Sequence, residues 1–124
     1  MPMATINRFE EIEAFQTARI LTGLIYNLSN SGGFSKDFGL RDQMRRAAVS
    51  IMSNIAEGSE SRTTALFIEF LGRAKASAGE FRAQCYVALD VGYLDQRQFD
   101  DLMDLADKNS RQICNFMSYL KDHR

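Results

Sequence analysis

A chain of 124 residues, 45% hydrophobic and 25% charged, can bury its own core as one domain over residues 1–124 without cross-links. Its formal net charge of −1 supplies no global pull toward nucleic acid or an anionic membrane, so any such contact must come from a local patch. No apolar stretch approaches a membrane span, Met1 to Arg8 holds no apolar signal core, and two cysteines make no disulfide framework, which predicts a cytoplasmic protein.

The only proline is Pro2, so long uninterrupted helices are permitted after it. Phe9, Ile12, Phe15, Ala18, Leu21, Ile25 and Leu28 recur every three or four residues and predict a first helix over 8–30, ended by Ser31-Gly32-Gly33. A second helix is predicted over 38–57, with Asp37 as its N-cap. Leu40, Met44, Ala47, Ala48, Ile51 and Ile55 form one apolar stripe on it, while Val49, Met52 and Ala56 lie nearly opposite. A helix apolar on two sides is sandwiched between two partners, one of which can be a second chain. Gly58 and the polar stretch to Thr63 make the next connection, with Ser61 or Thr63 available as a cap. The third helix, over 63–91, carries the stripe Phe67, Phe70, Leu71, Ala74, Ala78, Phe81, Cys85, Ala88 and Leu89. Gly92-Tyr93-Leu94 breaks it, and Asp95 with Gln98 opens a fourth helix over 95–121 as a capping box. The fourth helix buries Phe99, Leu102, Ala106, Ile113, Phe116, Met117 and Leu120 and exposes Asp100, Asp104, Asp107, Lys108 and Arg111. Short connections favour antiparallel neighbours, so the expected fold is all-α, an up-down-up-down four-helix bundle. Cys85 and Cys114 both read as reduced thiols on apolar helix faces.

Gly72, Ala76, Gly79 and Ala83 form a flat strip on the third helix away from its core stripe, flanked by Ile68, Tyr86 and Val87. Two glycines inside a helix cost about 1 kcal/mol each relative to alanine, a cost that close approach by another helix offsets. A solvated face or a tight contact within the bundle is the plainer reading. The interchain reading predicts a homo-oligomer with Arg45, Val49, Met52, Ala56, Ile68, Gly72, Ala76, Gly79, Ala83 and Tyr86 at its interface.

Groups for chemistry are scarce. The only histidine, His123, is penultimate in a stretch expected to fray, so no cysteine or serine has the usual base, and an enzyme is not expected. Asp100, Asp101, Asp104 and Asp107 read as a solvated face rather than a metal site, and neither metal nor cofactor is expected. Arg41, Arg45, Arg46, Arg62, Arg73, Lys75 and Arg82 make the one basic cluster. Pairing with Asp42, Glu57, Glu69 and Glu80 is the plainer reading. Repeated around a ring, Arg41, Arg46, Arg62, Arg73 and Lys75 would instead sum to a salt-sensitive phosphate contact. Arg45 falls on the side of Val49, Met52 and Ala56 and is expected to pair with Glu69 or Glu80, leaving Arg46 for a phosphate. Asn54 is expected to be a buried amide bonded to a neighbouring helix, with a ligand-binding role as the sharper alternative; Glu57 near it has no assigned role.

From Phe9 to about Leu120 the chain resembles the bacterial four-helix-bundle family encoded in intervening sequences of 23S ribosomal RNA genes. The resemblance is carried by the run from Gly39 to Ile51 with Ser53-Asn54-Ile55-Ala56-Glu57-Gly58, by Phe67-Ile68-Glu69-Phe70-Leu71, by Ala74-Lys75-Ala76-Ser77-Ala78-Gly79-Glu80 and by Ala88-Leu89-Asp90-Val91-Gly92-Tyr93. Met52 stands where the family usually has proline, and Phe15 where it often has tryptophan. The resemblance implies a ring of subunits, a pentamer, and no established activity. The family is also similar in fold to the accessory protein of diversity-generating retroelements, which implies a partner that is RNA or a nucleic-acid-processing protein. The resulting expectation is a non-enzymatic ring-forming interaction module; the alternative is a purely structural homo-oligomer.

Overall fold

Polar side chains start three of the four long helices. Asp37 Oδ1 accepts a hydrogen bond from the Leu40 amide at 3.1 Å, and Thr63 Oγ1 accepts from the Leu66 amide at 3.1 Å. Asp95 and Gln98 close the expected capping box, at 2.8 Å and 2.9 Å. In the computed structural model, which describes residues 8–123, these caps open α3 (Phe38–Ser59), α4 (Thr64–Asp90) and α5 (Gln96–Asp122). Ahead of them lie a 3-10 turn (Phe9–Glu11), α1 (Glu13–Leu28) and a short α2 (Gly32–Lys36). The segment searched for a signal core lies almost wholly outside the described residues.

The first helix is shorter than its spacing predicts. Ile12 takes an extended conformation (φ −74°, ψ 125°) between the 3-10 turn and α1 and is buried there. Phe9 then meets Phe15 edge-on at 4.9 Å, so a bend meets the apolar demand that a continuous helix was expected to meet. Gly92 (φ +85°) turns the chain after α4 in the left-handed region glycine enters cheaply, but Gly32 (φ +62°) does not end α1 as expected: α1 closes at Leu28 with Ser29 as its cap, and Gly32 opens α2. The short α2 went unpredicted. It buries Phe34 by stacking it on Tyr93 at 5.2 Å, while the Tyr93 hydroxyl donates to Asp37 Oδ2 at 2.9 Å. One tyrosine in the α4–α5 turn thereby fastens both α2 and the cap of α3.

α1 packs on α3, α3 on α4, α4 on α5 and α5 back on α1, so the four long helices close into an antiparallel up-down-up-down bundle. Leu21, Ile25, Met44, Ile51, Ile55, Leu71, Phe81, Leu102 and Ile113 fill its core, each burial contributing about 1.5–3 kcal/mol. α3 does not end before Gly58 as expected but runs through it. A Cβ at Gly58 would lie 2.8 Å from Phe67 Cδ1 and 2.9 Å from Phe70 Cβ, so α4 seats its first turns directly on this backbone. Phe67 and Phe70 are consequently half-buried contact residues rather than deep core. Asn109 is a buried amide the periodicity missed; its Nδ2 donates to the Ala14 carbonyl at 2.8 Å, tying α5 to α1.

The two cysteines part company. Cys85 lies in the core, where desolvation pushes its thiol up to about 12. Cys114 is exposed, contrary to expectation, because it follows Ile113 by 100° of helix rotation and falls off the buried stripe.

Candidate interaction surface

The second apolar side of α3 is partly the seat of α1. Met52 is half-buried against the core, with the Thr22 hydroxyl 3.3 Å from its sulfur, and Ala56 is half-buried beyond it. Val49 alone of the three stays exposed. On α4, Gly72 and Ile68 are half-buried, and a Cβ at Gly72 would lie 3.8 Å from Met117 of α5, so this end of the strip faces a neighbour within the chain. Ala76 and Ala83 are exposed, and a Cβ at Gly79 would approach nothing closer than Arg82 Nη2 at 3.9 Å. Tyr86 meets Phe99 edge-on at 5.0 Å yet remains 54% exposed, Val87 and Val91 are exposed near it at the C-terminal end of α4, and Leu66 is exposed at the opposite end. The outer surface of α4 therefore carries large apolar side chains with no cover among the described residues.

The basic residues divide into held and unheld. Arg41 pairs with Asp42 at 2.8 Å, which holds that carboxyl below its ordinary value, and donates to the Ser35 carbonyl at 2.9 Å. Arg73 pairs with Glu69 at 3.0 Å one turn away. Arg45 pairs with neither Glu69 nor Glu80. Its Nε donates to Ser29 Oγ at 2.8 Å and its Nη2 to the Tyr26 carbonyl at 3.4 Å, because the side chain swings to α1 rather than to α4. The guanidinium lies over the Tyr26 ring at 4.5 Å, as Arg41 lies over Phe38 at 4.7 Å and Arg73 over Phe70 at 5.0 Å. Arg46, Arg62 and Lys75 make no ion pair or side-chain hydrogen bond among the described residues. The five proposed phosphate contacts are thus not gathered into one pocket: Arg41 and Arg46 lie on α3, Arg73 and Lys75 on α4, and Arg62 in the loop between them.

Between α3 and α4 runs a polar seam. Ser50 Oγ and Ser77 Oγ are 2.9 Å apart, and Asn54 Nδ2 donates to the Ser50 carbonyl at 2.9 Å and its hydroxyl at 3.1 Å. Asn54 thus bonds its own helix, not a neighbour; Ser50 makes the cross-helix link. Beyond it a cleft of about 190 Å³ is lined by Gln43, Arg46, Ala47, Ser50, Glu80 and Gln84. Sequence reasoning singled out neither the serines nor Tyr26 and Phe38. Phe38 and Arg41 do carry a signal, since three residues along a helix places side chains together; Tyr26 and Arg45 are 19 apart and carry none.

Among the described residues no group of three or more His, Cys, Asp or Glu side chains is placed to hold a metal ion, and no helix is long and apolar enough to cross a membrane. The His123 ring stacks on Tyr119 with centroids 3.9 Å apart.

No curated protein gives a significant match to the chain. Among solved structures, it is similar to a protein of unknown function from the S23 ribosomal protein family of Bacteroides thetaiotaomicron VPI-5482, at 19% identity and a TM-score of 0.79 over 85% of this chain and 95% of that one. That likeness shows the fold. The family described as 23S rRNA-intervening sequence protein matches residues 10–115. With so much of its length matched, the chain belongs to the 23S rRNA-intervening sequence protein family.

Proposed function

We propose that this protein is a non-enzymatic, cytoplasmic interaction module that assembles into a ring and, as a ring, contacts structured RNA. The observation that carries the reading is the outer surface of α4, where Tyr86, Val87 and Val91 are 48–55% exposed at its C-terminal end beside the small residues Ala76, Gly79 and Ala83. Large apolar side chains left exposed together next to small residues suit a contact with another macromolecule. A second copy of the chain is the occupant in this reading, with Val49 of α3 on the same assembly and a subunit number of five carried from the family resemblance. Arg45 already has partners inside the chain, so the interface does not need a carboxylate for it. Arg46, Arg62 and Lys75 supply weak phosphate contacts that the ring multiplies.

A structural oligomer without RNA is the second reading, favoured by the pairing of Arg41 with Asp42 and of Arg73 with Glu69. Light scattering on the purified protein and RNA binding at two salt concentrations separate them. The leading reading expects a mass several times 14.1 kDa and an RNA affinity that falls roughly tenfold or more between about 50 and 200 mM salt. A large mass with no RNA bound at low salt leaves the structural oligomer; a monomer overturns both.

A further inference from the structure

We propose that Tyr26, Phe38, Arg41 and Arg45 form a platform for the unpaired bases of a single-stranded nucleic acid. The inference rests on the nucleic-acid reading above and names the form of strand bound. Arg41 and Arg45 are one turn apart on α3, so their guanidiniums lie on one side of that helix. Each lies over a different ring, Arg41 over Phe38 at 4.7 Å and Arg45 over Tyr26 at 4.5 Å. Phe38 is 63% exposed and Tyr26 45%, too much for both faces of either ring to be covered. The surface therefore carries two ring–cation pairs, each with ring face to spare, and every base offers such a surface a π-face.

The charges suit a polyanion. Arg45 gives its hydrogen bonds to a hydroxyl and a carbonyl, both neutral, and Asp42, already paired with Arg41, is the one carboxylate whose ionisation it also affects, so three arginines face a single counter-charge. Arg41 is anchored to the Ser35 carbonyl and shares only Asp42. Arg46, the next residue along, makes no ion pair or side-chain hydrogen bond among the described residues. Two arginines pre-set by the fold lose little side-chain freedom when a strand binds. A duplex does not fit, because its bases are already stacked and present only their edges to a protein. A second copy docking the same patch face to face would bring three arginines against three.

The test is fluorescence anisotropy at low salt with labelled twelve-nucleotide single strands of RNA and of DNA, and with an RNA duplex of equal length. Single strands should bind at least tenfold more tightly than the duplex, and the RNA and DNA arms show which sugar is preferred. Phe38→Leu and Tyr26→Leu should each weaken single-strand binding roughly five- to hundredfold, with Phe38→Tyr restoring it. Duplex binding equal to single-strand binding, or leucine variants that bind like the parent, overturns the platform while leaving the RNA reading standing. No binding of any nucleic acid by the parent sinks both. A fall in assembly mass on Phe38→Leu, with circular dichroism unchanged, makes the patch a contact between copies and overturns it too.

Discussion

α4 and α5 are each 27 residues long and each buries one full stripe, but they turn different surfaces outward. α5 shows Asp100, Asp101, Asp104, Asp107, Lys108 and Arg111, with Arg111 paired to Asp107 one turn away and Asp107 also reached by Arg82 at 3.4 Å. α4 also exposes Glu69, Arg73, Lys75 and Glu80, but sets among them Ala76, Ala83, Tyr86 and Val87. Helix propensity and core packing make the same demands of both, so they cannot be the source of the difference. What differs is the share of apolar and small side chains on each outer face. α5 is built for water, whereas α4 keeps glycine and alanine where charged helix formers would cost nothing in a solvated position.

The largest expected effect lies on α4. Gly79→Leu adds bulk to a site where the chain itself offers no obstruction, so the monomer should fold normally while the assembly falls to a mass near 14.1 kDa in light scattering. Lys108→Leu on α5 should leave the mass alone. If the two variants behave alike, the contrast between the outer faces carries no information about assembly. A smaller effect sharpens the inner side of the same helix. Gly58→Ala puts a methyl group against Phe67 and Phe70, and urea unfolding should report a loss of about 1–3 kcal/mol. An unchanged midpoint would mean that α4 is not seated by that close approach.

The smallest effect belongs to the turn that joins the two helices. The Tyr93 hydroxyl donates to Asp37, which raises its ionisation above the ordinary tyrosine value. A group whose folded value is raised contributes stability that is present below its unfolded value and is lost as pH rises through the folded one. Melting temperature should therefore hold up to about pH 10 and decline above it, and Tyr93→Phe should decline less over that alkaline range. Identical alkaline profiles would show that the bond does not couple the turn to α3.

The bundle was legible because period and punctuation agree along most of the chain. Asp37, Thr63 and Asp95 cap as their residue types predict, and the stripes of α4 and α5 bury Leu71, Ala78, Phe81, Leu102 and Ile113 as spaced. Failures came where a tertiary contact outranked a local pattern. Ile12 keeps apolar spacing yet breaks the helix; Gly58 reads as punctuation yet is helical because two phenylalanines press on it. The candidate surface was legible in part. That α4 has two faces is written in its small residues, and the pairing of Arg73 with Glu69 follows from a spacing of four. The destination of Arg45 is not written locally, since Ser29 and Tyr26 belong to another helix and only the packed bundle brings them within reach. Met52 shows the same limit: an apolar side chain opposite the main stripe signals a second neighbour, and here that neighbour is α1.

The amide of Asn109 reaches 95 residues back along the chain to Ala14, and that span has a consequence for biosynthesis. α1 precedes the other long helices in the chain and rests against both α3 and α5, so its core side stays partly uncovered until α5 has left the ribosome. Until then Leu21, Ile25 and their neighbours face solvent on a nascent chain, where exposed apolar surface invites aggregation. The closing step must also be in register. A slip of one turn between α1 and α5 would strand a carboxamide in an apolar interior, at a cost of about 1–3 kcal/mol. The bond from Asn109 to Ala14 thus favours one register of α5 against α1 when the bundle shuts.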